Sequence, residues 1–127
     1  IIGVKLFPGG GTLLVRGEEV KMEVRENFRG GQGKIYAGYY VNEERSSPGA
    51  MRIVRIVIPP GSSIGYHQHL GDEEVYLILR GKGEVNDNGQ VKTASPGDLV
   101  LTRSGEYHGI KNVGSEDLEL LAIVSKV

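Results

Sequence analysis

Short runs of β-branched and aromatic residues recur along the chain, separated by Gly, Pro, Asn and Asp. No segment sustains the 3.6-residue apolar period that an amphipathic helix needs. The clearest turn is Asn88-Gly89, because Asn-Gly favours the two-residue loop of a β-hairpin. The pattern predicts about nine to eleven short strands with little or no helix, which is typical of an all-β sandwich or barrel.

Two of the predicted strands, residues 75–79 and 118–124, are apolar at nearly every position. A strand with one solvent-exposed face alternates apolar and polar residues, so these two strands are expected to be covered on both faces. We expect a second copy of the chain to supply the outer cover in a symmetric homodimer. The alternative is that the N-terminal strands of the same chain supply it.

Composition then narrows the class of protein. A length of 127 residues fits one domain, which we expect to span residues 1–127. The formal net charge of -1 predicts neither a nucleic-acid partner nor a membrane partner. No apolar run reaches the roughly 18–20 residues of a membrane span and no signal-peptide pattern is present, so we expect a cytoplasmic protein. Because the first residue is Ile1, we also expect an initiator segment to precede this numbering.

The candidate chemistry begins with two histidines. The chain has no cysteine, so any metal ion must be bound by nitrogen and oxygen atoms. His67 and His69 are one residue apart, and side chains at i and i+2 of a strand point to the same side. A carboxylate follows at either Glu73 or Glu74. Alternation places Glu74 on the face of Tyr76, whereas Glu73 would head an aliphatic face where a carboxylate is costly to bury. We therefore predict Glu74 as the ligand.

The remaining histidine converts this pair into a candidate metal site. Two histidines at this spacing, if isolated, indicate a surface feature of an edge strand. His108, however, follows a turn at Gly105 and begins another predicted strand. With His67, His69 and Glu74 it would complete a set of three imidazoles and one carboxylate, which suits Mn²⁺, Fe²⁺, Ni²⁺, Cu²⁺ or Zn²⁺. Four such ligands leave two neighbouring positions of an octahedral ion open for water or a chelating substrate.

These residues resemble the two sequence motifs of the cupin superfamily. The first motif is matched from Gly61 to Gly81 without a gap, and the second is matched except at Arg103, where the family has proline. The matching positions are Gly61, His67, His69, Glu74, Gly81, Gly97, Gly105, His108 and Asn112. The resemblance implies a jelly-roll (double-stranded β-helix) cupin barrel, usually dimeric, with one divalent metal ion in its mouth.

Within the superfamily, the chain is most similar to the oxalate decarboxylase-like cupins that use Mn²⁺. This similarity implies a metal-dependent enzyme that acts on a small carboxylate such as oxalate. Those decarboxylases have an arginine three residues before the first ligand histidine, where this chain has Ile64, so substrate binding is better supported than full decarboxylase activity. Two alternatives stay open: an oxidoreductase of the Fe²⁺ dioxygenase type, and a sugar- or metabolite-binding cupin related to the phosphosugar isomerases.

Three further side chains are candidates for contact with a ligand. Tyr76 is expected to point into the barrel, where it either contacts substrate or fills the core. Arg52 and Arg55 are three positions apart on one strand, so at most one of them points inward, and a solvent-exposed position is favoured for each. An inward arginine would favour a carboxylate ligand. Residues 29–33, which are rich in glycine, are interpreted as a flexible loop.

Overall fold

A computed structural model describes residues 14–42 and 51–127. Within these ranges the chain forms ten strands and two short 3₁₀ helices, Gly17–Glu19 and Phe28–Gly30, which confirms the all-β prediction. The strands are β1 (Met22–Glu26), β2 (Lys34–Val41), β3 (Met51–Ile58), β4 (Ser63–Gln68), β5 (Asp72–Arg80), β6 (Gly83–Asp87), β7 (Gln90–Ala94), β8 (Leu99–Thr102), β9 (Tyr107–Asn112) and β10 (Leu118–Lys126).

The strands form two antiparallel sheets that face each other as a jelly roll. One sheet has the order β1-β2-β3-β10-β5-β8 and the other has the order β4-β9-β6-β7. Their inner faces enclose an aliphatic core to which almost every strand contributes. Because the chain changes sheet at most connections from β3 onward, residues that are distant in sequence meet at each end of the sandwich.

Alternation along β5 and β10 separates a buried inner face from a partly exposed outer face. On the inner face, Tyr76 pairs with Ala122 and Ile78 pairs with Leu120, and all four are buried. The residues between them point outward and are half-buried. Glu74 lies on the inner face, as the alternation predicts.

The turn between β6 and β7 is the predicted Asn-Gly hairpin. Asn88 and Gly89 have φ values of 50° and 92°, and a type I′ turn requires positive φ at both central residues. The side-chain oxygen of Asn86 accepts a hydrogen bond from the Gly89 N–H at 2.9 Å. The turn therefore closes β6 against β7 and fixes their register.

The loop between β1 and β2, predicted to be flexible, is held against β4. The backbone N–H of Ser63 donates to the Gln32 carbonyl, and the Ser63 hydroxyl accepts from the Gln32 N–H, both at 2.9 Å. A Cβ at Gly65 would overlap the carbonyl oxygen of Arg29, and a Cβ at Gly31 would overlap that of Ser63. The two glycines therefore permit a backbone-to-backbone contact that any larger residue would prevent.

Asn112, the last position of the second motif, joins three segments of backbone in the core. Its amide nitrogen donates to the carbonyls of Ile58 and Glu116, each at 2.8 Å, and its side-chain oxygen accepts from Gly114 N–H at 2.9 Å. Its own carbonyl accepts from the N–H of Gly61, the first residue of the first motif, at 3.1 Å. The motif asparagine therefore has a structural role.

We predict that Asn112→Ala lowers the free energy of unfolding by about 2–4 kcal/mol, because it leaves buried backbone groups without partners. Chemical denaturation followed by circular dichroism measures this change. Asn86→Ala is the matched control, since it removes one hydrogen bond in an exposed hairpin and should cost at most about 1 kcal/mol. Equal losses in the two variants would contradict the structural role of Asn112.

Candidate metal centre

Four polar side chains from three strands converge at one end of the sandwich. His67 lies in β4 and His69 follows the last residue of that strand. Glu74 lies in β5, and His108 lies in β9 directly opposite His67. The structure therefore brings together the four residues that the sequence predicts as metal ligands.

Their donor atoms share a small volume. The Nε2 atom of His108 is 3.0 Å from that of His69 and 3.2 Å from that of His67. The Oε1 atom of Glu74 lies 3.1 Å from the Nε2 atoms of both His69 and His108. One donor atom from each of the four residues lies within 4.8 Å of all the others. His69, Glu74 and His108 are buried, with 7%, 9% and 1% of their surface exposed.

This spacing fits a metal ion bound to nitrogen and oxygen. A metal–nitrogen bond is about 2.1 Å long, which places adjacent ligands about 3.0 Å apart on an octahedral ion and about 3.4 Å apart on a tetrahedral one. Three of the four separations, at 3.0 and 3.1 Å, are nearer to the octahedral value. The group could hold one divalent ion.

Two of the imidazoles are oriented by partners on the side away from this point. The Nδ1 atom of His67 lies 2.7 Å from the carbonyl oxygen of Gly65, to which it donates a hydrogen bond. The Nδ1 atom of His108 lies 2.8 Å from the hydroxyl of Thr102, which is also buried. A proton held on Nδ1 leaves the Nε2 lone pair available, which is the usual role of such partners around a metal.

The third imidazole is oriented by an acid that is itself paired. The Nδ1 atom of His69 lies 2.8 Å from Asp72 Oδ1, and the other oxygen of Asp72 lies 4.0 Å from the Arg52 guanidinium. Arg52 shares the inward side of β3 with buried Val54, whereas Arg55 pairs with Glu119 on the outer face. Arg52 is therefore the arginine on the inward side of β3, and its side chain, 41% exposed, still reaches solvent as expected.

The charges of the group stabilise one another. Burial alone would raise the pKa of Glu74, but hydrogen bonds from His108 and His69 outweigh it and lower this pKa to about 2. The hydrogen bond with Glu74, assisted by Asp72, raises the pKa of His69, whereas burial lowers that of His67. Positive charge therefore stabilises the Glu74 carboxylate at the point where the donor atoms converge, and a metal cation there would act in the same way.

Tyr76 packs against the group, and its hydroxyl lies 3.4 Å from the Nε2 atom of His108. Its ring stacks on that of His108, with a centroid separation of 4.7 Å and an interplanar angle of 16°, and only 2% of its surface is exposed. Burial raises the pKa of Tyr76 well above its ordinary value, so the hydroxyl stays protonated. Tyr76 does not line the adjoining cavity, and contact with a substrate stays a prediction.

A cavity of about 80 Å³ opens beside the donor atoms. Its lining includes His67, His69, Glu74 and Asp72, and three arginines also line it. These arginines are Arg25, Arg29 and Arg52. The only one considered from the sequence was Arg52, whose position could have been derived from its alternation with Val54. For Arg29, which lies outside any strand, no periodic signal exists.

Comparison with known proteins identifies the family. A family model described as a cupin domain matches residues 54–124. An oxalate-binding protein of Thermotoga maritima is 40% identical over 115 residues, which cover 91% of this chain and 95% of that protein. A mannose-1-phosphate guanylyltransferase of Salmonella montevideo is 30% identical over 74 residues, which cover 58% of this chain and 16% of that protein. The chain belongs to the cupin family.

Solved structures agree with this assignment. The crystal structure of a predicted oxalate decarboxylase from Thermotoga maritima has a TM-score of 0.87 at 39% identity and covers 91% of this chain and 100% of that one. KdgF from Halomonas sp. has a TM-score of 0.73 at 18% identity, covering 92% and 94% of the two chains, which shows the shared fold alone. In the part of the chain that the structure describes, no helix is long and apolar enough to cross a membrane.

Proposed function

We propose that the chain, folded as a single cupin domain, binds one divalent metal ion through His67, His69, Glu74 and His108. The ion binds a small carboxylate such as oxalate, on which the protein acts as an oxalate decarboxylase-like enzyme. The observation that carries this proposal is the convergence of four oriented donor atoms beside a cavity lined by three guanidinium groups. The 40% identity to an oxalate-binding protein supports the choice of ligand.

Manganese is the metal that we favour, with Fe²⁺, Ni²⁺ and Zn²⁺ as alternatives. The donor spacing is nearer to octahedral geometry, and a set that includes a carboxylate suits Mn²⁺. When bound, the ion would supply a Lewis acid that holds and polarises carboxylate oxygens. The protein side chains would orient the ligand, since three guanidiniums and two carboxylates line the cavity and leave it an excess of positive charge.

We predict that His69→Ala lowers the metal content of the purified protein at least tenfold while circular dichroism shows an unchanged fold. The substitution removes one donor atom, and the aliphatic core does not include this imidazole. Elemental analysis after dialysis against Mn²⁺ gives the occupancy. Gln68→Ala is the matched control, because Gln68 is the exposed neighbour of the same segment and should retain one metal ion per chain. Full occupancy in His69→Ala would exclude the proposed ligand set.

We further predict that the Mn²⁺-loaded protein converts oxalate monoanion into carbon dioxide and formate, quantified together in one assay. The metal-free protein is the control. Calorimetric titration of the same samples with oxalate separates binding from turnover. Binding without product would limit the function to oxalate binding, and neither binding nor product would contradict the proposal. Iron as the main metal in protein purified without added metal would favour a dioxygenase.

A homodimer is also part of the proposal, on the basis of the outer face of the larger sheet. Apolar residues of three strands lie side by side there: Leu77 pairs with Leu99 and Leu121, and Val75 pairs with Leu101. Leu99 is 59% exposed. A contiguous apolar face of this kind is typical of a subunit interface.

We predict a solution mass of two chains by equilibrium sedimentation. Leu99→Glu should shift the mass towards that of one chain, because a carboxylate buried between two apolar faces is costly. Lys82→Glu, an exposed change outside this face, should leave the mass unchanged. A single-chain mass for the unmodified protein at all accessible concentrations would contradict the dimer.

A further inference from the structure

The three arginines that line the cavity differ in whether an acid neutralises them. The Nη2 atom of Arg25 lies 2.8 Å from Glu23, and the Nη2 atom of Arg52 lies 4.0 Å from Asp72. Across residues 14–42 and 51–127, Arg29 forms neither a hydrogen bond through its side chain nor an ion pair with any acid. Its guanidinium lies over the ring of Phe28, 5.5 Å from the centroid. Arg29 is therefore the cavity arginine whose hydrogen-bond donors are all available to a ligand.

The backbone of Arg29 is held in a conformation that its residue type disfavours. Its φ and ψ are 54° and 33°, in the left-handed region. The residue that adopts this region without a steric penalty is glycine. The neighbouring Gly30 also has a positive φ, of 78°. A strained non-glycine residue at a cavity is a recognised sign of a functional constraint, because the strain persists only where the surroundings impose it.

A contact with β4 holds the backbone of Arg29 in this conformation. The carbonyl oxygen of Arg29 lies where a Cβ of Gly65 would be, so the loop can approach the strand no more closely. Gly65 in turn accepts the Nδ1 hydrogen bond of His67 at 2.7 Å. One backbone contact thus fixes Arg29 relative to an imidazole of the metal centre.

We propose that Arg29 is the residue that selects a second negative charge on the ligand, by pairing with carboxylate oxygens of a small dianion in the cavity. This inference rests on the proposed function, in which the ligand binds at the metal. The cavity of about 80 Å³ has room for a ligand as small as a short dicarboxylate. A guanidinium matches a carboxylate with two parallel hydrogen bonds, which an ammonium group cannot do.

The test measures binding to Mn²⁺-loaded protein by calorimetry with two ligands. Oxalate carries two carboxylates, and oxamate keeps oxygen atoms for the metal but has one negative charge fewer. We expect Arg29→Gln to weaken oxalate binding about 10- to 100-fold. Its preference for oxalate over oxamate should fall to within about threefold, and Arg29→Lys should be intermediate. Metal occupancy should not change, since Arg29 contacts no donor atom among the described residues.

Two further variants distinguish a role of Arg29 in ligand recognition from a role in folding. Arg80→Gln removes the same charge from a guanidinium outside the cavity, which is paired with Glu116 at 3.7 Å, so binding should change less than about threefold. Arg29→Gly relieves the left-handed strain, so it should melt at or above the temperature of the unmodified protein while still losing the preference for oxalate.

The outcomes distinguish this inference from the function on which it rests. Absence of oxalate binding by the unmodified, metal-loaded protein would overturn the proposed function and this inference together. Normal binding by the unmodified protein with an unchanged preference in Arg29→Gln would overturn this inference alone. An equal loss in Arg80→Gln would also overturn it, since oxalate binding would then depend on the total charge of the protein and not on Arg29.

Discussion

The contact between Glu74 and two imidazoles is the interaction on which the arrangement of this molecule depends. A carboxylate with 9% of its surface exposed carries a large desolvation cost unless positive charge and hydrogen bonds offset it. The alternation of β5 places Glu74 inward, and the changes of sheet between β4, β5 and β9 place the histidines around it. The partners on the outer side of each imidazole then fix which nitrogen faces the carboxylate. The aliphatic core below this point is spared an unpaired carboxylate, because Glu74 lies within 3.1 Å of two imidazoles.

Much of the fold and of the candidate site could be predicted from the sequence. The reason is that period-two alternation indicates both which face of a strand is buried and which acid lies on that face. The same rule that separates Tyr76 from its outward neighbours also separates Glu74 from Glu73. The hairpin at Asn88-Gly89 was predictable for a similar reason, since its backbone conformation is restricted to very few residue types. Strand existence, the faces of β5 and the converging ligand set all follow from rules that act over a few residues.

The residues that the sequence does not indicate are those placed by contacts between distant segments. Asp72 and Thr102 orient imidazoles that are near them in sequence, but only the fold shows which donor meets which acceptor. Arg29 reaches the cavity because two glycines on different segments allow their backbones to touch. Such a contact cannot be predicted from the spacing of charged residues in the sequence. The flexible loop expected from the glycines is instead held against β4, since the same glycines provide the close approach.

The four donor residues and the cavity arginines lie in different parts of the sequence. The region matched by the family model, residues 54–124, contains the four donor residues, whereas the three cavity arginines lie before it. Ile64, which occupies the place of an arginine in the decarboxylases that the chain resembles, is a core residue with 2% of its surface exposed and pairs with Ile110. The four donor residues and the three cavity arginines therefore come from separate stretches of sequence, which the contact between Arg52 and Asp72 brings together.

The left-handed backbone at position 29 has a consequence for how this sequence would diverge. Selection for fold alone would favour glycine or asparagine there, because arginine keeps a strained conformation without adding to the core. Glycine or asparagine at this position would keep the backbone conformation and remove the guanidinium from the cavity.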